Sequence, residues 1–219
     1  MPTDVDRGKG PHPMRGKRSA RKALHLSLLA GLAVAAVAVT PSTGHAATGA
    51  EVKVYLNTIS HIAGPGEANR VRFSKSGSRI IVQDAVPISP GDGCDRVTDT
   101  QVSCTSEGVG AVVALLGDGS DSIAIDIPMS SYVDGGAGGD AYYGGTAPSM
   151  SRVFYIGGDN HDWVSYQATA LPVSVTMDSQ NNDGRIGMDQ DNIQPSVETA
   201  ILNQAVTAEG MPAPPAPAE

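Results

Sequence analysis

The 219-residue sequence is short of aromatic side chains, at 4%, and of charge, at 17%. An average domain carries roughly 25% charged residues. So few rings leave little material for a large aromatic-centred core, and a helical bundle is not expected. There is no apolar run of the ~20 residues needed to span a bilayer. There is no G-x-S-x-G, no H-E-x-x-H and no P-loop, so the common hydrolase, metalloprotease and nucleotide-binding signatures are missing. Ser19-x-x-Lys22 fits S-x-x-K only inside an N-terminal leader. Only His61 and His161 lie well past that leader. His61 stands in a turn-prone tract with no partner nearby in sequence, and His161 falls at a variable, exposed position. Residues 51–110 lack a nucleophile–base set. No enzyme is expected.

Glycine and proline are abundant instead. The 26 Gly and 15 Pro make up about 19% of the chain, against a background near ~12%. There is no G-X-Y triplet period, so the excess means many turns joining short strands.

The N-terminus reads as a separate segment. Arg15, Lys17, Arg18, Arg21 and Lys22 precede an apolar run over residues 24–39. Thr40-Pro41 and small residues around Gly44-His45-Ala46-Ala47 follow. This is the order of a secretory signal peptide, expected over residues 1–46, and it implies an extracellular mature chain. A membrane anchor is the competing reading, but a run of sixteen residues, thirteen of them Ala, Val or Leu, is short for a span of ~20. Residues 1–46 hold seven of the fifteen basic and two of the twenty-three acidic residues. The remainder has a net charge near −13, which disfavours nucleic acid and anionic membranes as partners. Fifteen of its twenty-one acids are Asp, a turn former and a hard oxygen ligand. Cys94 and Cys104 suit a disulfide-closed hairpin in an exported protein; a catalytic or metal-binding thiol pair is the alternative.

Three zones follow the leader. Residues 51–110 alternate apolar and polar side chains between Gly/Pro turns, as in Val71 and Phe73 or the run at Ile80-Ile81-Val82, and form a short β-rich lead-in. Residues 111–177 are rich in Gly and Asp. Residues 178–202 are an acidic loop and cap, with one or two helical turns expected within 196–208. Residues 203–219, ending in MPAPPAPAE, are expected to be a disordered Pro/Ala tail.

The middle zone repeats. The pattern G-G-x-G-x-D-x-U-x, with U a large apolar residue, marks the calcium-binding β-helix. Gly135-Gly136-Ala137-Gly138-Gly139-Asp140-Ala141-Tyr142-Tyr143 fits throughout. Leu116-Gly117-Asp118-Gly119-Ser120-Asp121-Ser122-Ile123-Ala124 lacks only the first Gly. Gly157-Gly158-Asp159-Asn160-His161-Asp162-Trp163-Val164-Ser165 has Asn160 in place of one Gly, and Asn tolerates positive φ. Gly144-Gly145 opens a degenerate copy. Calcium takes six to eight oxygens, many of which can be main-chain carbonyls, and glycine lets a turn present them. Asp121 to Asp140 is nineteen residues and Asp140 to Asp162 twenty-two, close to a coil of roughly eighteen. The extra residues are expected in 144–150. The three aspartates then share one side of a stack, with two inter-coil calcium sites, Asp121/Asp140 and Asp140/Asp162. The opposite side is ion-poor. Ile123, Ile125 and Ile127 alternate as a strand facing a narrow core, as do Val173, Val175 and Met177.

These segments (VVALLGDGSDSIAIDI, VDGGAGGDAYYGG and IGGDNHDWVSY) resemble the hemolysin-type (RTX) calcium-binding repeat family. GEANRVRFS and the tract from Asp162 to Ile201 are similar to regions that accompany such repeats in secreted bacterial proteins. The resemblance implies an all-β chain whose middle is a parallel β-roll or β-helix folding on calcium outside the cell. It implies ligand roles for Asp121, Asp140 and Asp162, with carbonyls from Gly117, Gly119, Gly135, Gly136, Gly138, Gly157 and Asp159. The sequence departs from the family in having few repeats. The expectation is a secreted, non-enzymatic calcium-binding protein. The alternative is a cell-surface or matrix adhesion module on the same scaffold, whose cell-wall or extracellular partner the sequence does not name. Residues 178–192, with Asp178, Asp183, Asp189 and Asp191, are either a second ion loop or a solvated Asx-turn loop.

Overall fold

A computed structural model describes residues 49–203. The expected signal peptide, and the Pro/Ala tail beyond Asn203, lie outside the described residues. The described chain is all-β, with no helix. Its strands begin with β1 (Ala50–Tyr55), β2 (Thr58–Ile62), β3 (Arg70–Ser76), β4 (Arg79–Gln83), β5 (Ile88–Pro90), β6 (Cys94–Thr98) and β7 (Gln101–Thr105). The Gly-rich zone supplies β8 (Ala111–Leu115), β9 (Ser122–Ile125), β10 (Ser130–Ala137), β11 (Ala141–Tyr143), β12 (Arg152–Asp159) and β13 (Trp163–Ser165). Last come β14 (Val173–Ser174), β15 (Gly184–Arg185), β16 (Asn192–Ile193) and β17 (Thr199–Ile201). The helical turns expected after Ser196 are absent among the described residues, and β17 stands there.

Two mixed sheets carry nearly all of these strands. One has the order β16-β12-β10-β8-β2-β1-β5 and the other β17-β13-β11-β9-β3-β4-β7-β6. Along the chain, β8 to β13 alternate strictly between the two, and β16 and β17 extend the alternation. Each strand therefore pairs parallel with the strand of the previous circuit. Strands of the lead-in join directly: β2 pairs with β8 and β3 with β9. Antiparallel pairing joins β1–β2, the β3–β4–β7–β6 meander and the small β14–β15 pair, with an isolated bridge at Asp183↔Asp191.

Alternation in the sequence explains the burial. In β3, Val71 and Phe73 turn inward while Arg70 and Arg72 face solvent. Ile123, Ile125 and Ile127 are all buried, as their spacing predicts. One core takes inward residues from both sheets. Four of the nine aromatic residues lie in it: Phe73, Tyr142, Tyr155 and Tyr166 are among the largest fully buried side chains. Of the second alternating set only Val173 is fully buried, because β14 ends at Ser174; Val175 and Met177 pack partly buried against the core. Ser122 to Ser130 spans eight residues, whereas Ala141 to Arg152 spans eleven. The three extra residues thus fall in 144–151, as the aspartate spacing indicates. Cys94 and Cys104 lie opposite each other on β6 and β7 and form a disulfide.

The β1–β2 hairpin closes at Tyr55↔Thr58 with the loop Leu56-Asn57. Leu56 sits at φ 53° and is 80% exposed. The left-handed conformation costs a β-carbon residue roughly 1–2 kcal/mol, which Asn escapes more readily. Leu56→Asn is expected to raise the melting temperature by a few degrees; thermal unfolding followed by circular dichroism checks it, and a lowered midpoint would contradict the strain.

Candidate functional site

Asp121, Asp140 and Asp162 each stand immediately before a strand of the second sheet, and parallel pairing stacks them. The Asp121 N–H donates to Asp140 Oδ1 at 2.8 Å, and the Asp140 N–H donates to Asp162 Oδ1 at 2.8 Å. The ladder continues at both ends. The Asn69 N–H donates to Asp121 Oδ1 at 2.7 Å, and the Asp162 N–H donates to Glu198 Oε2 at 2.7 Å. Asn69 precedes β3 and Glu198 precedes β17, so each occupies the aspartate's place in its own circuit. The glycine–aspartate pattern marks the middle three residues and neither end. Gly64-Pro65-Gly66-Glu67-Ala68-Asn69-Arg70-Val71 keeps the spacing of Gly, polar and apolar residues, which was a usable signal. Gln194-Pro195-Ser196-Val197-Glu198 has no glycine and gave none.

The turns between the sheets explain the glycines. A Cβ on Gly138 would collide with the Gly119 carbonyl oxygen one circuit earlier. A Cβ on Gly135 would collide with the Gly157 carbonyl oxygen and with Asp140 Oδ2. The aspartate side chain therefore folds into its own turn, against the glycine and beside a carbonyl of the next circuit. At Gly157 the Asp162 side chain likewise lies against the glycine. Asn160 takes φ 84°, as its place in the pattern requires. Of the remaining expected carbonyl donors, Gly117 accepts the Ala137 N–H at 2.8 Å and Asp159 the Gly138 N–H at 3.2 Å. The Gly136 carbonyl oxygen packs against Gly158.

The second carboxylate oxygens carry the chemistry. Oδ2 of Asp121, Asp140 and Asp162 is buried without a hydrogen-bond partner, and so is Asn69 Oδ1. Burial, then the neighbouring carboxylates, lifts Asp121 and Asp140 to about 6; backbone N–H donors only partly oppose it. Asp162 is raised for the same leading reason. The buried Tyr155 hydroxyl is also unpartnered, and burial, with Asp162, Asp140 and Asp121 next, raises it. A hard cation is one group that could serve these unpartnered carboxylate oxygens. The unpartnered atoms of Asn69, Asp121, Asp140 and Asp162 are all oxygen, the donor type that calcium takes. Among the described residues no three His, Cys, Asp or Glu side chains converge on one point. An ion here would rest on one or two carboxylates plus main-chain carbonyls and water.

At the first end, sequence gave no hint of the His61 partner. His61 is wholly buried in β2, with Nε2 2.9 Å from Asp84 Oδ2. The same oxygen accepts Asn69 Nδ2–H at 2.8 Å. Burial works to raise Asp84, but the bonds from His61, Asn69 and Arg70 hold it below the usual carboxylate range.

Residues 178–192 form a closed network. Asp191 Oδ2 accepts the Tyr166 hydroxyl at 2.7 Å, and its Oδ1 accepts Ser151 Oγ–H and the Val153 N–H. Asp183 accepts the Thr176 and Ile193 N–H groups. Asp189 takes both Arg185 Nε–H and Nη2–H, while Arg185 also reaches the carbonyls of Ala147 and Ser149. Burial opposes it, yet Arg185 keeps Asp189 below the ordinary range; burial pushes Asp191 up to about 6. Asp178 accepts the Gln180 N–H in an exposed Asx turn. The acids of this loop are thus largely served by the protein's own donors. No family model, curated protein or solved structure matches the chain.

The raised aspartates fix the sign of a pH effect. Asp121, Asp140 and Asp191 hold protons more tightly folded than unfolded between about pH 4 and 6, so stability rises as pH falls through that window. In chelator, the melting temperature is expected to be higher near pH 5 than near pH 7. Thermal scans at the two pH values check it; a lower midpoint at the acid value would contradict the burial argument.

Proposed function

We propose that this chain is a secreted, non-enzymatic calcium-binding protein whose middle is a parallel β-roll of the hemolysin-type repeat. The observation that carries the reading is the column of buried, unpartnered Oδ2 atoms on Asp121, Asp140 and Asp162. Each lies within a glycine turn that leaves room for carbonyl oxygens. Calcium held between successive turns would take one or two of these carboxylate oxygens. The carbonyls of Gly117, Gly119, Gly136, Gly157 and Asp159 stand in the same turns, and water completes the six to eight ligands. Its role is to neutralise stacked like charges, so binding and ordering of the turns are one process. Strands alternating between two sheets and pairing parallel with the previous circuit support the roll. The N-terminal leader pattern supports export, and the Cys94–Cys104 bridge agrees with an oxidising compartment. Among the described residues no helix is long and apolar enough to cross a membrane.

Asp140 is shared by both expected sites, so it is the position to replace. Calcium is expected to raise the melting temperature of the exported chain and to increase its β circular dichroism. Asp140→Ala is expected to abolish most of the calorimetric binding heat and to bring the midpoint in calcium close to its value in chelator. No change in spectrum, heat or midpoint on adding millimolar calcium to the parent protein would overturn the reading.

A further inference from the structure

We infer that a further calcium ion binds one circuit earlier, between the turn of residues 64–69 and that of residues 117–121. Its protein ligands would be Asn69 Oδ1, Asp121 Oδ2 and the Glu67 carbonyl. The inference rests on the calcium reading above.

Asn69 is wholly buried, and its amide is oriented. Nδ2 must face Asp84 Oδ2, because that carboxylate oxygen would repel the amide oxygen. Asp84 is itself fixed, by His61 on Oδ2 and by the Arg70 and Ala85 N–H groups on Oδ1. The Asn69 oxygen is therefore turned away from Asp84 and has no partner. The Asn69 N–H occupies Asp121 Oδ1 and leaves Asp121 Oδ2 unpartnered. Asp121 stands in the same relation to Asp140, and Asp140 to Asp162.

Main-chain packing follows the same rule. A Cβ on Gly119 would collide with the Glu67 carbonyl oxygen, just as one on Gly138 would collide with that of Gly119. Glu67 thus holds, in the first turn, the place that Gly119 holds in the second. Its own carboxylate folds back to accept the Gly64 N–H at 2.8 Å, and Asp118 Oδ1 accepts the Gly66 N–H at 2.7 Å. The turn is pinned at both ends. An amide oxygen is a good calcium ligand, but it brings no charge. This position should therefore bind roughly tenfold more weakly than the two flanked by aspartate alone.

Equilibrium dialysis and calorimetric titration of the full chain with calcium test the inference. Three bound ions are expected, the weakest being lost in Asn69→Ala while the other two remain. Asp140→Ala should retain only the Asn69/Asp121 ion, which gives a second readout should the Asn69 variant fail to fold. Two ions in the parent protein, or three that survive Asn69→Ala, would overturn the inference and leave the calcium reading standing. No calcium bound at all would overturn the reading beneath it.

Discussion

In-register parallel stacking is the constraint on which the rest of this structure depends. When a strand pairs parallel with its equivalent nineteen or twenty-two residues away, every side chain meets its counterpart. Apolar residues gain by this: Ile123, Tyr142 and Val164 form one inward row. Tyr132 and Phe154 stack with ring centroids 5.7 Å apart, nearly parallel at 8°. Turns also lie on turns, and there a β-carbon would strike the carbonyl of the circuit before, which demands glycine. Aspartates lie on aspartates, and there the same rule is unfavourable. The N–H bonds along the ladder offset part of this cost on one oxygen of each pair and leave the other exposed to its neighbours' charge.

The ends of such a stack differ from its middle, because a terminal circuit lacks a neighbour on one side. At the first end the chain leaves the repeat and builds the β3–β4–β7–β6 meander, locked by Cys94–Cys104, before returning at β8. Asn69 replaces aspartate there, beside the buried Asp84, and so avoids a second charge next to the first. At the last end the turn before β17 is shorter and has no glycine loop. Glu198, one methylene longer than aspartate, spans the gap to the Asp162 N–H. Ser196 Oγ accepts the Gly157 N–H at 3.0 Å and closes the same edge. Asn69 and Glu198 thus continue, outside the nonapeptide pattern, the N–H-to-carboxylate ladder of the three aspartates.

What was legible in the sequence was whatever repeats or alternates locally. The strand faces at Val71 and Phe73, the Asp121, Asp140 and Asp162 column and the position of the insertion all follow from spacing. The features that escaped join residues distant in sequence. His61 and Asp84 are twenty-three residues apart, Asp162 and Glu198 thirty-six. Nothing near His61 announces its partner, because burial alone brings β2 and the Asp84 segment together. Residues 199–201 carry a pattern too short to separate a helical turn from a strand. Pairing with β13 decides it, through Trp163↔Thr199 and Ser165↔Ile201.

The two sides of the stack meet the same electrostatic demand differently. On the side of residues 144–151 and 167–191 the chain departs from its period, first by three residues and then by a long loop. That extra length brings in Arg185, which lies between Asp189 and the carbonyls of Ala147 and Ser149. Tyr142, Tyr166 and Ser151 supply hydroxyl donors to Asp191. A guanidinium holding a carboxylate and two carbonyls has the ligand preferences of a hard cation, but it is covalently attached and always charged. On the glycine side the turns are too short to carry such a residue, and strict periodicity leaves no slack for one. Among the described residues no Arg or Lys side chain pairs with Asp121, Asp140 or Asp162 there. The built-in counter-ion thus stands on the side where the period is broken, while on the periodic side each aspartate of the column keeps one oxygen without a partner.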